Sequence, residues 1–283
     1  MKGLFPLILL LLGSSLAFAA PKVATIYSSW GDFAFKNEFK APLATLGWQQ
    51  EAFENIQLPE LSERLGEFDF VIAGGVANYE HTVDMAPFRR QWLDWLAAGG
   101  VLFITDASYG SVLDSWLSTF GPDYTLGSTQ CLALTKPGPE SRQVKFTEGS
   151  LLACPNDLRS DLEQAMDRIW AHLEPLQSQG WTTLATCADG KPLMVERHVG
   201  TGLLVVTSFY RFAEGNSPAL AQGLLENLQL AALAARGGLE LTEFELPPLA
   251  PGQIVIKLGL RNLAEVSRTV IAQARIGGER DST

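Results

Sequence analysis

Cysteine and histidine are scarce, with three of each in 283 residues. The sequence contains no C-x-x-C pair and no Cys/His cluster, so nothing in it indicates a metal site. Neither a G-x-G-x-x-G stretch nor a Walker sequence follows any apolar run, which argues against a nucleotide site. Gly74-Gly75 alone does not meet either pattern. We therefore expect neither a metal nor a cofactor.

Positive charge is also in short supply. Lys and Arg together number 21 against 31 Asp and Glu, which gives a formal net charge of -10. Proteins that bind nucleic acids or anionic membrane surfaces carry basic patches. The balance here argues against both kinds of partner and favours a soluble, acidic surface.

Long apolar runs are absent except near the N-terminus. Leu4 to Leu12 is too short to span a bilayer comfortably. Lys2 precedes this run, and Ala17-Phe18-Ala19 is a small-x-small cleavage sequence. The pattern predicts a signal peptide over residues 1–20 and export to the periplasm or the cell exterior, with no transmembrane segment left after cleavage.

Export affects the prediction for the cysteines, because disulfides persist outside the cytosol. Cys131 and Cys154 flank one loop-rich stretch, and we predict that they form a disulfide. Cys187 follows an apolar strand and is predicted to be a buried free thiol.

Apolar strands alternate with helical patterns over residues 21–237. Predicted strands over 23–27, 49–53, 68–73 and 101–105 are separated by helices, and the strongest helix pattern covers 87–98. The strands are continuously apolar, which is typical of strands buried on both faces. This predicts an α/β domain with an open, mostly parallel sheet flanked by helices.

The second half of the chain departs from this rhythm. Residues 122–156 are rich in Gly, Pro and Ser and predict an irregular insertion, and 157–173 predict a helix. Strands over 181–186, 192–198 and 203–207 follow, joined by tight turns at Asp189-Gly190 and Gly200-Thr201-Gly202. A helix over 218–235 closes the domain. Residues 238–283 alternate like the first strands of a β-sandwich, either as a small appendage or as the front of something longer.

Residues 22–236 resemble the class I glutamine amidotransferase-like superfamily, which has a flavodoxin-like α/β fold. The likeness rests on the stretches 68–72 and 99–104, the tryptophan-rich helix between them, and Lys191 to Gly202. Within that superfamily, the chain is similar to the trehalose-utilisation-type proteins and to the amidotransferase-like domain of certain β-galactosidases. In open α/β sheets ligands bind at the carboxyl ends of the strands, so we expect the ligand site at that edge.

Active members of this superfamily carry a cysteine in a Gly-x-Cys-x-Gly turn and a His-x-Glu pair after a late strand. The matching stretches here are Asp106-Ala107-Ser108-Tyr109-Gly110 and Ser208-Phe209-Tyr210-Arg211, with neither the cysteine nor the histidine. A nucleophile without an activating base is weak. The chain is therefore not expected to be a functional glutamine amidotransferase.

Three residues are candidates for chemistry. Ser108 is either a hydrolase nucleophile or a cap of the following helix. Asp106 is either a general base or ligand acceptor, or an Asx-turn residue. His81, together with Glu80, either orients a ligand or acts as a base, or else it is a solvated loop histidine. His172 and His198 are predicted to be structural.

Aromatic and charged residues follow the same strands and suit a sugar, since rings stack while polar groups bind hydroxyls. We therefore predict an exported, non-catalytic domain that binds a carbohydrate or a protein partner at the carboxyl edge of its sheet, with possible self-association through the C-terminal β-segment. The alternative is a secreted hydrolase or sugar-modifying enzyme that uses Ser108 or Asp106 with His81. The predicted ligand-binding residues are Trp30, Asp32, Glu80, His81, Asp106, Tyr109, Tyr210 and Arg211.

Overall fold

A computed structural model describes residues 7–11, 20–27, 39–73, 85–105, 124–126, 144–147, 150–153, 155–164, 173–175, 180–208, 218–236, 239–245, 257–262 and 272–276. The chain divides into two units, one of residues 20–263 and one of residues 1–19 with 264–283. Within the described ranges, no helix combines the length and apolar character needed to cross a bilayer.

The strands, in chain order, are β1 (Leu7–Leu11), β2 (Lys22–Tyr27), β3 (Gln49–Glu54), β4 (Phe70–Ala73), β5 (Val101–Ile104), β6 (Tyr124–Leu126), β7 (Lys145–Phe146), β8 (Leu173–Pro175), β9 (Trp181–Thr186), β10 (Pro192–Val199), β11 (Gly202–Thr207), β12 (Leu239–Glu245), β13 (Lys257–Asn262) and β14 (Ala272–Ile276). The helices are α1 (Lys40–Thr45), α2 (Leu58–Glu63), α3 (Arg89–Ala97), α4 (Ser150–Ala153), α5 (Arg159–Gln164) and α6 (Pro218–Arg236). Short 3₁₀ turns cover Asn55–Gln57, Leu65–Glu67 and Ala86–Phe88.

Eight strands form the central sheet, in the order β3-β2-β4-β5-β11-β10-β9-β7. The first five are parallel to one another, and β10, β9 and β7 extend the sheet in antiparallel fashion. Strands β4, β5 and β11 are buried along their whole length, as expected for parallel strands covered on both faces. The predicted α/β fold with a mostly parallel sheet is confirmed.

Helices cover both faces of this sheet. One apolar cluster joins alternate strand residues such as Phe103 and Val205 to residues of α1, α4, α5 and α6. The other joins the intervening residues, such as Ile104 and Val206, to α2 and α3. This alternation follows from the two-residue period of a strand, and it fixes which face each residue of a strand end occupies.

The structure also differs from the predicted elements in two places. Within the segment predicted to be irregular, Val144, Leu151 and Leu152 belong to the core, and β7 pairs with β9 at the sheet edge. Leu173 was predicted to end a helix but lies in β8, which pairs with β6. Pro175 disfavours helical geometry at Glu174, and the pairing of Leu173 with Leu126 extends the strand by one more residue toward the N-terminus.

The other small sheets are two-stranded. In the unit of residues 20–263, β12 pairs antiparallel with β13. In the other unit, β1 pairs antiparallel with β14. Strand β1 lies within the predicted signal peptide, whose cleavage stays a prediction.

The turn that joins β10 to β11 packs directly against the end of α3. The backbone N–H of Thr201 donates to the carbonyl of Ala97 at 3.1 Å, and its Oγ1 donates to the same oxygen at 3.1 Å. Gly200 has φ +60, a conformation that favours glycine. These contacts tie the start of β11 to α3.

A polar cluster joins α6 to α4 and to the segment that follows α4. The side-chain amide of Asn227 donates to the carbonyls of Leu151 at 2.7 Å and Asn156 at 2.9 Å. Its Oδ1 accepts from the backbone N–H of Asn156 at 2.9 Å. Asn227 is fully buried, so each of these bonds replaces one that water would otherwise make.

Charged side chains form a network near edge strand β3. The guanidinium of Arg64 forks between the carboxylates of Glu51 and Glu67, with four N–O distances of 2.7 to 3.0 Å. Lys22 Nζ adds a contact of 2.8 Å to Glu67. The hydrogen bonds from Arg64, followed by those from Lys22, lower the pKa of Glu67 from 4.5 to about 2.

We expect this network to make stability pH-dependent. Because the folded-state pKa of Glu67 is depressed, its contribution is present above pH 4.5 and is lost as the pH falls toward 2. Urea denaturation of the wild type and Glu67→Gln between pH 7 and 2 checks this: the gap between their unfolding free energies should narrow below pH 4.5. The gap should also shrink in 1 M NaCl, since the side chains of the network are partly exposed to solvent and salt screens their charges. A gap independent of both pH and salt would contradict the prediction.

Candidate functional site

The parallel strands β2, β3, β4, β5 and β11 are the first to fifth of their set, and they lie in the order 2-1-3-4-5. In sheets of this order, ligands bind outside the carboxyl ends of the strands, where the first and third strands meet and the connections diverge. That switch point falls here between β2 and β4. The carboxyl edge beside it is therefore the candidate site.

The predicted site residues lie outside the described residues, but each follows one of the strands at this edge. Trp30 and Asp32 follow β2, and Glu80 and His81 follow β4. Asp106, Ser108 and Tyr109 follow β5, and Tyr210 and Arg211 follow β11. The predicted disulfide partners Cys131 and Cys154 also lie outside the described ranges.

The four strands that precede these residues are consecutive neighbours in the sheet. Strand β2 pairs with β4, β4 with β5, and β5 with β11, all in parallel. Adjacent strands are about 4.8 Å apart, so the four strand ends span about 15 Å. The sequence alone predicted parallel strands but could not give this order, which depends on pairing between segments far apart in the chain.

Two successive rows of residues lie across the strand ends at this edge. Ile26, Ala73, Ile104 and Val206 are paired across the four strands and face α2 and α3. The next residues along the chain therefore face the opposite side. We call Glu54, Tyr27, Thr105 and Thr207 the terminal row; Glu54 belongs to it because it pairs with Tyr27.

Two members of the terminal row contact each other. The hydroxyl of Tyr27 donates to Glu54 Oε1 at 3.4 Å, and the side-chain oxygen of Gln57 accepts the backbone N–H of Glu54 at 2.8 Å. Tyr27 is buried. This end of the terminal row therefore carries a carboxylate held in place by its neighbours.

At the other end of the row, one carbonyl accepts three hydrogen bonds. Leu193 lies at a register shift in β10, and its oxygen accepts from Thr207 Oγ1 at 3.4 Å, Ser208 Oγ at 3.2 Å and Ser208 N at 2.9 Å. The irregularity of β10 thus satisfies two buried hydroxyls that follow the apolar run of β11.

Thr105 differs from these neighbours. Its backbone N–H donates to the carbonyl of Ala73 at 2.9 Å, which continues the β4–β5 ladder. Its side-chain oxygen is buried and has no hydrogen-bond partner among the residues that the structure describes, and the residue is 1% exposed. A buried hydroxyl without a partner costs free energy, so such groups in native proteins call for a bound water or ligand.

The terminal row was not among the predicted site residues, although the sequence contains a signal for it. Strands β5 and β11 are apolar until a threonine, which follows β5 as Thr105 and ends β11 as Thr207, and β2 ends with Tyr27. The predicted site residues all lie in the loops beyond these strand ends. In the part of the chain that the structure describes, no group of three or more His, Cys, Asp and Glu could hold a metal ion.

Cys187 is a buried free thiol, as predicted. It follows β9, and its backbone N–H donates to the carbonyl of Lys191 at 2.8 Å across the turn to β10. Burial, followed by the nearby carboxylate of Asp189, raises the pKa of the thiol from 9.0 to about 11. Neither feature favours a reactive thiolate.

We expect Cys187 in the folded protein to react slowly with Ellman's reagent at pH 8, about a hundredfold more slowly than an exposed thiol, because the thiolate is the nucleophile. Unfolding in urea should restore normal reactivity. The same titration of the protein unfolded in urea, without a reducing agent, counts all free thiols. We expect one free thiol if Cys131 and Cys154 are bridged, and three if they are not. Rapid labelling of Cys187 in the native state would contradict the prediction.

No family model matches the sequence, and no curated protein matches it. The chain is similar to solved structures at low identity. With a cytoplasmic protein from Salmonella typhimurium LT2 the identity is 12%, the TM-score 0.43, and the match covers 71% of this chain and 93% of that one. With a glutamine amidotransferase from Thermotoga maritima the identity is 12% and the TM-score 0.39, and the match covers 78% of this chain and 95% of that one. With an exo-β-1,4-mannosidase from Opitutaceae bacterium strain TAV5 the identity is 14% and the TM-score 0.37, and the match covers 77% of this chain and 35% of that one.

Proposed function

We propose that this chain is an exported, non-catalytic domain that binds a carbohydrate at the carboxyl edge of its sheet. The observation that carries the proposal is the strand order. Strands β2, β4, β5 and β11 are parallel neighbours, and each is followed in the sequence by residues that suit a sugar. Ligands of such sheets bind at this edge.

The residue types that follow these strands explain the choice of ligand. Trp30, Tyr109 and Tyr210 offer ring faces for stacking, while Asp32 and Arg211 offer hydrogen bonds to hydroxyl groups. The terminal row adds the carboxylate of Glu54 and further hydroxyls at the same edge. A site of rings, carboxylates and hydroxyls favours a polyhydroxylated ligand over an apolar one.

The absence of catalysis rests on the sequence. The stretch Asp106 to Gly110 has a serine where active relatives of the resembled superfamily have a cysteine, and Ser208 to Arg211 contains no histidine. Without a base beside it, a serine hydroxyl is a poor nucleophile.

Isothermal titration of the full chain with glucose, galactose, mannose and N-acetylglucosamine tests the proposal. We expect one of these sugars to bind, and Trp30→Ala and Asp32→Asn to weaken that binding. Asp94→Asn is the matched control, because Asp94 is an exposed carboxylate on α3 that forms an ion pair with Arg90. Failure of all four sugars to bind, or equal weakening by the control, would overturn the proposal.

A hydrolase is the second candidate, and one observation favours it. His81 follows β4 and Ser108 follows β5, and these strands are adjacent and parallel. A base and a nucleophile on neighbouring connections is an arrangement that catalysis uses. Labelling of Ser108 by a fluorophosphonate, lost in His81→Ala and in Ser108→Ala, would replace the non-catalytic proposal with this one.

Export and assembly are the remaining parts of the proposal. N-terminal sequencing of the protein recovered from outside the cytoplasm should begin near Ala20 or Pro21. Sedimentation velocity should show whether the chain self-associates, and a protein partner would be found by cross-linking in the native cell envelope. Recovery of an uncleaved chain from the cytoplasm would contradict the export prediction.

A further inference from the structure

We propose that Thr105 Oγ1 hydrogen-bonds a hydroxyl of a neutral sugar bound at the carboxyl edge, an inference that rests on the proposed carbohydrate-binding function. The starting observation is the buried oxygen without a partner at the end of β5. Thr105 follows β5, which pairs with β4, and β4 is one of the two strands at the switch point between β2 and β4.

The hydroxyl groups near Thr105 in the terminal row all have hydrogen-bond partners. Continuing the β5–β11 register by one residue places Thr207 beside Thr105 on the same face. The Thr207 hydroxyl donates to the carbonyl of Leu193, and that of Ser208 donates to the same oxygen. At the other end of the same row, the Tyr27 hydroxyl donates to Glu54. Thr105 therefore stands out within a row whose other hydroxyls are bonded.

Burial limits what can complete the hydrogen bonding of Thr105. Within the described residues no side chain supplies that partner. The partner must itself leave bulk water, so it is an internal water molecule, a group of the chain outside the described ranges, or a polar group of a ligand seated at the strand ends. The position at the carboxyl end of a parallel strand favours the ligand, because this is where sheets of this order bind one.

The charge of the terminal row favours a neutral ligand. Among the described residues of the row, the one acidic side chain is that of Glu54, whose oxygens accept a sugar hydroxyl and disfavour a phosphate or carboxylate. The acidic balance of the whole chain acts in the same direction. Arg211, which follows β11, makes a phosphorylated sugar the competing ligand.

Thr105→Val in the full chain tests the inference, because valine keeps the shape and removes the hydroxyl. Titration with whichever of glucose, galactose, mannose or N-acetylglucosamine the wild type binds should show about tenfold weaker affinity. The melting temperature without sugar should stay the same or rise, since an unbonded buried hydroxyl is lost. Thr105→Ser should retain the affinity.

Thr207→Val is the matched control: the same substitution in the same row removes a bonded hydroxyl and should lower the melting temperature. If the wild type binds none of the sugars, the proposed function fails and this inference fails with it. If the wild type binds but Thr105→Val binds equally well, only this inference fails. A lower melting temperature of Thr105→Val with unchanged affinity indicates an internal water and also overturns it. Tighter binding of glucose 6-phosphate than of glucose refutes the neutral ligand.

Discussion

Replacing Gly202 with alanine should destabilise the protein by more than about 3 kcal/mol, at the upper end of the cost of overpacking. A Cβ atom at this position would lie 1.9 Å from the carbonyl oxygen of Leu96 and 2.5 Å from that of Gly100. Both obstacles are backbone atoms, so no side chain can rotate away. Relief requires α3 to separate from β11, which breaks the contacts of Thr201 with Ala97.

Chemical denaturation monitored by circular dichroism measures this effect. Gly66→Ala is the control, because no atom lies within 4 Å of the Cβ it would introduce and its φ is not in the left-handed region. The unfolding free energy of Gly66→Ala should differ from that of the wild type by less than about 1 kcal/mol. A small increase is expected, because alanine restricts the conformations of the unfolded chain. Similar unfolding free energies for the two variants would show that the packing of the β10–β11 turn against α3 is looser than described.

Replacing Asn227 with leucine should cost about 3 kcal/mol or more. Leucine has a similar volume, so the cost does not come from a cavity. It comes from the carbonyls of Leu151 and Asn156 and the N–H of Asn156, which lose their partner while buried or partly buried. Each unsatisfied group costs about 1–3 kcal/mol.

The matched control for Asn227 is Gln229→Leu, which replaces an amide on the partly exposed side of the same helix. That variant should remain within about 0.5 kcal/mol of the wild type. Thermal and urea unfolding of both variants give the comparison. A stable Asn227→Leu variant would mean that the segment after α4 satisfies its backbone without α6.

The sequence predicted best those helices and strands that carry a clear local pattern of apolar residues and turn glycines. The helix over 218–235 and the strands that became β9, β10 and β11 carry strong periodicity, and Gly190 and Gly200 mark the turns between them. Continuous apolar runs also indicated parallel strands buried on both faces, which β4 and β5 are. These signals are local, so a single sequence contains them.

What the sequence could not predict depends on distant contacts. Asn227 interrupts the apolar pattern of α6, and its role appears only when residues 151–156 are placed against it. Thr105 reads as an ordinary strand end, because its lack of a partner is a property of the neighbouring strands. The order of β2, β4, β5 and β11 likewise depends on tertiary pairing. The sequence therefore assigned the candidate site to the carboxyl edge of the sheet, but it could not predict which strand ends are neighbours there.

The pairing of β5 with β11 has a consequence for folding during synthesis. Residues 105–201 separate the two strands, so β5 emerges from the ribosome long before its neighbour. Until β11 arrives, one side of a hydrophobic strand has no hydrogen-bonding partner, and α6 is not yet present to cover its face. Nascent chains that stop short of residue 207 should therefore be the aggregation-prone species, and holdase chaperones would act on them.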